Sequence, residues 1–272
     1  MINTKPQVKI LADSLSPDRV RLTTFELKYW RPILAEMNTH RVFSRNASSS
    51  RAKNWDKTCE EVRNDCWCPA HWNAEQQGMT GGEEFDYLDK AFLDNKINEL
   101  GCYVVDYLRD LDDEFYKQTG MRIHKQYLNR YTEPFRCATQ ILTATDWDNF
   151  FKLRISDQAQ PEIRDVAVAM KEAMEKQMPQ FIGYEGWHLP YITQDDKTNF
   201  GIETLKKISV ARCARVSYRA YTKGISLDKD IALYERLLSN GHLSPFEHIA
   251  TPVAKDVKTA NFKGWQQLRH LV

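Results

Sequence analysis

No stretch of the 272-residue chain approaches the roughly 18 consecutive apolar residues that a membrane-spanning helix needs, so no membrane partner is expected. The opening residues, Met-Ile-Asn-Thr-Lys-Pro, lack the apolar core of a secretory signal. Six cysteines in a chain this long do not make a disulfide scaffold, and a reducing, cytoplasmic setting is expected. Charge of one sign is missing too: 38 Lys and Arg face 37 Asp and Glu, for a net charge of +1. That balance excludes a general nucleic-acid footprint, so any anion site must be local. Internal repeats, low-complexity tracts and a Pro/Ser linker are absent, which leaves one α/β (α+β) domain over 1–272.

What is present is a polar stretch, His-Arg-Val-Phe-Ser-Arg-Asn-Ala-Ser-Ser-Ser-Arg over 40–51, without an acidic residue. It is a poor amphipathic helix and too polar for a buried strand. Forked guanidinium donors (Arg41, Arg45, Arg51) and serine hydroxyls suit phosphate oxygens. Ile33, Leu34 and Met37 lie on one helical face just upstream, so this stretch begins where a buried helix over 30–39 ends.

Elsewhere the pattern reads as follows. Val20, Leu22, Phe25 and Leu27 predict a strand with one break in its alternation. Residues 54–86, with Pro69, Gly78, Gly81 and Gly82, read as a long inserted loop; its Cys59, Cys66, Cys68 and His71 do not have zinc spacing, and no metal is assigned. Apolar residues from Leu88 to Phe115 keep helical spacing, stopped by Gly120. A second helix runs His124 to Thr132. Thr145 and Asp148 resemble a capping box for a helix through Leu153. Ser156 or Asp157 caps the next helix, with Pro161 in its first turn and Ile163, Val166, Ala167 and Met170 as its buried stripe. Ile208 to Tyr218 reads as β-rich, and 228–240 as a helix stopped by Gly241.

Four separated stretches together resemble the flavin-dependent thymidylate synthases. Thr39-His40-Arg41 with Ser49 and Arg51 is similar to that family's Arg-His-Arg signature. Asn149-Phe-Phe-Lys-Leu-Arg154 with Ala159-Gln160-Pro-Glu162-Ile163 is the second, Ala214-Arg215-Val216-Ser217-Tyr218 the third, and Ser244-Pro245-Phe246-Glu247-His248 the fourth. The last two stand at the start of ordinary members and at the end here, which implies a circular permutation and termini at one edge of the fold.

The resemblance implies a mixed sheet flanked by helices and conversion of dUMP to dTMP. FAD would be the cofactor, methylenetetrahydrofolate and NADPH the co-substrates, and no cysteine would act as nucleophile. It implies a homo-oligomer, a tetramer by family, with sites shared between subunits. Arg154 becomes the expected catalytic residue, against the pyrimidine. Ser48, Ser49, Ser50, Arg51, Lys125 and Arg130 are expected at the nucleotide, with Arg122, Lys125 and Arg130 competing for one phosphate cation. His40, Arg41, Ser44, Asn46, Thr143, Asn149, Ser217 and His248 are expected at the flavin.

Departures from the family pattern keep other readings open. Thr39 replaces the first signature arginine, Ala47 a glutamate, Glu36 a glutamine and Thr143 an asparagine. One alternative is flavin-dependent hydroxymethylation or methylation of dUMP or dCMP. Another, of a different class, is a non-catalytic nucleotide-binding module.

Overall fold

The computed structural model describes residues 2–218 and 226–272. At its centre is a five-stranded mixed sheet of β1 (Gln7–Leu15), β2 (Arg21–Trp30), β3 (Ser44–Ala47), β4 (Cys137–Ala144) and β5 (Gln180–Phe181). The spatial order is β3-β4-β2-β1-β5. The first four strands are antiparallel neighbours, and β5 joins β1 in parallel. A register shift between Ile10 and Ala12 of β1 accounts for the Ile10-Leu11 pair that breaks a simple alternation.

The helices are α1 (Trp55–Asn64), α2 (Tyr87–Thr119), α3 (Lys125–Tyr131), α4 (Asp148–Arg154), α5 (Pro161–Lys176), α6 (Ile202–Arg215) and α7 (Leu227–Ser239). Side chains alternate along a strand, so the two sheet faces bury different partners. Phe25, Leu27, Tyr29 and Leu142 pack against Trp147, Phe150 and the α5 stripe of Ile163, Val166, Ala167 and Met170. Ile141 on the other face packs against Val210 and Cys213 of α6 and against Phe246, Ile249 and Leu268.

The end of the chain closes onto the start of β2. Leu22 packs with Ala250, Phe262 and Trp265, and the Trp265 indole Nε1 donates to the Val20 carbonyl at 3.1 Å. Ala250, two residues beyond His248, is thus packed against Leu22 near the start of this strand. Met1, half of the expected meeting of the termini, lies outside the described residues.

Several elements differ from their sequence reading. Residues 54–86 are not wholly irregular: α1 opens with the Asn54 side chain accepting from Lys57 N and buries Thr58, Cys59 and Val62. Cys66–Trp67 then pairs in parallel with Ile2–Asn3, which leaves 68–86 as the loop. The β-rich reading of 208–218 is a helix followed by a 3-10 turn. Leu205, Ile208, Ser209, Val210, Ala211, Cys213 and Ala214 of α6 are all buried, so burial on nearly every side erased the helical period. Neither expected cap forms. Thr145 Oγ1 accepts instead from Lys263 N at 3.1 Å, and α5 starts at Pro161 behind Gln160 with no side-chain cap.

Helix α2 is 33 residues long and ends at Gly120 with φ 72°, as read. Its packing face is narrow, however: Gly101, Val105 and Leu108 are buried. A Cβ at Gly101 would lie 3.1 Å from both Phe135 and Val62, so glycine permits the close approach to α1. Leu88, Phe92, Leu100, Tyr107 and Leu111 face outward instead. No helix among the described residues is long and apolar enough to cross a membrane.

Candidate functional site

The polar stretch leaves its short helix at Met37, turns, and enters β3, the edge strand of the sheet. Pairing of Ser44 with Thr143 and of Asn46 with Ile141 puts Ser44 and Asn46 on the α6 face. Arg45, opposite Leu142, points to the α5 face. The pleat thus divides one sequence motif between two sides of an edge strand.

On the α6 side the turn after β3 is held from behind. Ser48 N donates to Thr139 O at 2.8 Å and Ser48 Oγ accepts from Thr139 N at 3.0 Å. Asn129 Nδ2, fully buried, donates to Ser50 O at 2.7 Å and to Lys53 O at 3.0 Å. Lys125 Nζ donates to Ala52 O at 3.3 Å, and Ser49 N donates to Ser217 O at 3.0 Å. With its carbonyls tied inward, the turn presents Ser49 and Arg51 to a recess of about 610 Å³ that Asn46, Ser217, Arg236 and His242 also line. Ser217 stands at the end of α6, whose Arg215 makes a buried ion pair with Asp230 of α7.

On the α5 side, Arg154 at the end of α4 donates from Nε to His40 Nε2 at 2.9 Å and from Nη2 to Thr39 Oγ1 at 3.2 Å. Arg45 Nη1 donates to the His40 carbonyl at 2.9 Å. His40 packs edge-on against Phe150, ring centroids 4.9 Å apart. Burial, then the charges of Arg154 and Arg45, hold the His40 pKa below its ordinary value. A neutral ring is what the geometry needs, because Nε2 must accept. Thr39 therefore replaces the expected signature arginine with a hydroxyl that accepts from Arg154.

Between the sheet and the C-terminal segment runs a buried hydrogen-bonded chain. Ser14 Oγ meets His188 Nδ1 at 2.7 Å, His188 Nε2 meets Thr24 Oγ1 at 2.7 Å, Thr24 Oγ1 meets Thr143 Oγ1 at 2.7 Å, and Thr143 Oγ1 meets His248 Nδ1 at 2.8 Å. His248 Nε2 is buried without a hydrogen-bond partner among the described residues. Burial pushes both histidines down to about 3, the charge of His248 adding to the effect at His188.

The structure thus brings Ser49, Arg51, Asn46 and Ser217 together, and separately joins His40 to Arg154. It does not bring Arg51 and Arg154 into one recess of a single chain. Ser48 and Ser50 are buried and shape the turn. Ser44 is buried with Gln267 Nε2 donating to its hydroxyl at 2.8 Å, and Thr143 belongs to the histidine chain. Arg41 and Asn149 are exposed. Arg130 lies outside the recess, 4.0 Å from Glu133, while Arg122 pairs with Asp112 and Asp113. Arg236 supplies the second recess cation, and no sequence signal distinguished it from any other charge on a helix. Asn129 was equally silent. Cys59, Cys66 and Cys68 pack with Val62 and Val105, and no metal-holding cluster of His, Cys, Asp or Glu occurs among the described residues.

The family described as "Thymidylate synthase complementing protein" matches residues 15–180, more than half of the chain. The chain belongs to this family and is an enzyme of the flavin-dependent thymidylate synthase type. Among solved structures it is similar to the UMP/dUMP methylase PolB from Streptomyces cacaoi bound with 5-Br UMP. Identity there is 14%, coverage 64% of this chain and 91% of that one, and the TM-score 0.48. It is similar also to the flavin-dependent thymidylate synthase ThyX from Helicobacter pylori complexed with FAD and dUMP. In that case identity is 20%, coverage 56% and 67%, and the TM-score 0.35. A search of curated proteins found no match.

Proposed function

We propose that the protein transfers a one-carbon unit from methylenetetrahydrofolate to C5 of dUMP, giving dTMP, with FAD as cofactor and NADPH as reductant. The observation that carries this reading is the recess in which Ser49, Arg51 and Ser217 converge, next to the edge strand whose Arg45 holds the His40 carbonyl. A guanidinium and hydroxyls on a turn braced from behind suit a phosphomonoester.

Arg51 and Ser49 bind the substrate phosphate, and Arg236 adds charge at the rim. Arg154 keeps its fork oriented through His40 and Thr39 and stabilises negative charge developing on the pyrimidine carbonyl as C5 reacts. His40 stays neutral and holds Arg154 Nε. For the flavin, the unpartnered His248 Nε2 and the exposed Arg41 and Asn149 fit a polar cofactor with phosphates; Ser44 and Thr143 support that wall from inside. When bound, the flavin supplies the reducing equivalents.

The halves of this site face opposite sides of β3, so the working enzyme is a homo-oligomer in which one copy's Arg154 meets another's Arg51; the family implies a tetramer. The outward apolar face of α2 supports association, since a row of Leu88, Phe92, Leu100, Tyr107 and Leu111 is costly to leave in water.

A second reading keeps the cofactor and changes the product, to hydroxymethylated dUMP or to hydroxymethylated or methylated dCMP. Thr39 favours keeping it, because a cation of the signature is gone and a hydroxyl stands beside Arg154. Incubation with dUMP or dCMP, methylenetetrahydrofolate, FAD and NADPH, read by product mass, decides. A product with the mass of dTMP is expected. A hydroxymethylated mass, or conversion of dCMP, selects the second reading, and no conversion together with no bound flavin rejects both.

A further inference from the structure

We propose that the C-terminal strap, 253–263, builds a second anion site that takes an extended, multiply charged anion. Its occupant is the diphosphate of a dinucleotide or the glutamate tail of a folate, not the pyrimidine monophosphate. A groove of about 860 Å³ is lined by Arg19, Arg41, Lys255, Lys258 and Lys263. None of these five side chains has an ion pair or a side-chain hydrogen bond among the described residues. Only two carboxylates, Asp146 and Asp148, face them across the groove. A sixth cation, Arg21, is already neutralised by Asp13 at 2.6 Å. In a chain whose total charge is +1, such a one-sided set concentrates field over apolar walls formed by Trp147, Phe151 and Phe262, and attracts counter-charge.

The backbone of the strap is fixed although its lysines are exposed. Lys255 N donates to Asp18 Oδ2 at 2.8 Å, Lys263 N to Thr145 Oγ1 at 3.1 Å, and Asn261 Nδ2 to Val42 O at 3.0 Å. Arg19 and Ala260 both stand in the left-handed region, with φ 63° and 53°, a conformation costly for residues with a side chain. A further observation marks the floor: Trp147, 5% exposed, has an indole Nε1 with no acceptor among the described residues. Long, separate ammonium groups along an open groove suit charges spaced along a flexible chain. The Ser49–Arg51 turn, with its hydroxyls and fork, suits one compact phosphate.

The site stands independently of the dUMP assignment; only the two named carriers rest on the proposed reaction. Titration calorimetry at low salt, with inorganic pyrophosphate and with γ-linked triglutamate, tests it on the full chain. At least one probe is expected to bind the wild type and the Arg51→Ala protein alike. Affinity falls tenfold or more in the triple variant Lys255→Glu, Lys258→Glu, Lys263→Glu, and several-fold in Lys258→Gln or Lys263→Gln alone. Melting temperature monitors folding, and dUMP affinity is expected to be unchanged in the strap variants. Pyrophosphate alone identifies the diphosphate source, and triglutamate alone the folate tail. Binding of neither probe to the wild type overturns the proposal, as does equal binding by wild type and strap variants. Loss of dUMP binding at Arg51→Ala without a strap effect sinks the strap site alone, and a strap effect without that loss sinks the Arg51 assignment alone.

Discussion

The molecule has two recesses that favour anions, and they are built in opposite ways. The Ser49–Arg51 recess presents few charges, and its floor is over-determined: Asn129, Lys125, Thr139 and Ser217 each hold part of one turn. The strap groove presents five cations on exposed side chains that are unpaired among the described residues. Fixed donors give geometry, which a reaction needs; mobile like charges give attraction that salt screens over about 8 Å at physiological ionic strength. The first is therefore suited to placing a reacting ring, and the second to retaining a tail.

The largest effect expected from breaking this contrast comes from the side that aims at the ring. Arg154→Ala removes the donor to His40 and Thr39 together with the group proposed to face the pyrimidine. Turnover should fall roughly 100- to 1,000-fold, with dUMP affinity altered far less. Arg154→Lys should rescue little, since one ammonium cannot satisfy both partners while facing substrate. A turnover within a few-fold of wild type would remove Arg154 from the chemistry.

Acid should separate the two recesses next. The wall of the first, Ser244 and Pro245, continues into His248, which the buried chain ties through Thr143 and Thr24 to His188. Both histidines are depressed to about 3, so the unfolded chain binds their protons first. Stability is complete above the unfolded value near 6.5 and is lost as pH falls below it. By pH 5.5 the two together cost about 3 kcal/mol, read as a shift in urea midpoint. His188→Gln should flatten that slope by roughly half. The strap contains no histidine between 253 and 263, so pyrophosphate affinity per folded molecule, corrected for the probe's own protonation in this range, should not follow this profile. A flat stability curve between pH 7 and 5.5 would mean that one or both histidines are charged in the fold.

Smaller again is the loss of the recess cation. Arg51→Ala should raise the dUMP dissociation constant about ten- to a hundredfold, the range of charge-assisted hydrogen bonds. Turnover at saturation should be largely preserved. If the strap variants weaken dUMP as much as Arg51→Ala does, the two recesses are one site and the contrast disappears.

How much of this could be read in the sequence follows from where each interaction lies along the chain. Ser49, Arg51, Ser217 and the His40–Arg154 pair belong to short motifs, and such motifs are legible because their residue types are fixed by what they hold. The division of the motif by the pleat was hidden: it needs the register of β3 on β4, which no local pattern encodes. Helix α6 read as strand because both its sides are buried. Asn129 and His188 are 79 and 164 residues from groups they meet, Ser50 and Thr24, and His188 reaches His248 only through two threonines. The strap cations look like ordinary surface lysines until the fold gathers them beside Arg19 and Arg41.

The smallest expected effect asks whether either recess depends on the loop at 68–86. His71 in that loop bridges Asp165 of α5 at 2.8 Å and Glu84 at 3.1 Å. Burial alone would lower its pKa, but the hydrogen bonds and charges of Asp165 and Glu84 outweigh it, and the net shift is upward. The sign is opposite to that of the buried pair. The His71 contribution is complete below the unfolded value near 6.5 and is lost as pH rises through the higher folded value. Chymotryptic cleavage at Trp72 or Phe85 should accelerate a few-fold between pH 6 and 8.5, after correction for the protease's own profile, and His71→Gln should cleave at the faster rate throughout. Among the described residues no part of the loop lines either recess, so dUMP and pyrophosphate affinities, corrected for each probe's own protonation, should stay constant while cleavage rises. A parallel loss of either affinity would show that this loop reaches that recess, and the picture of two independently braced sites would give way to one coupled through α5.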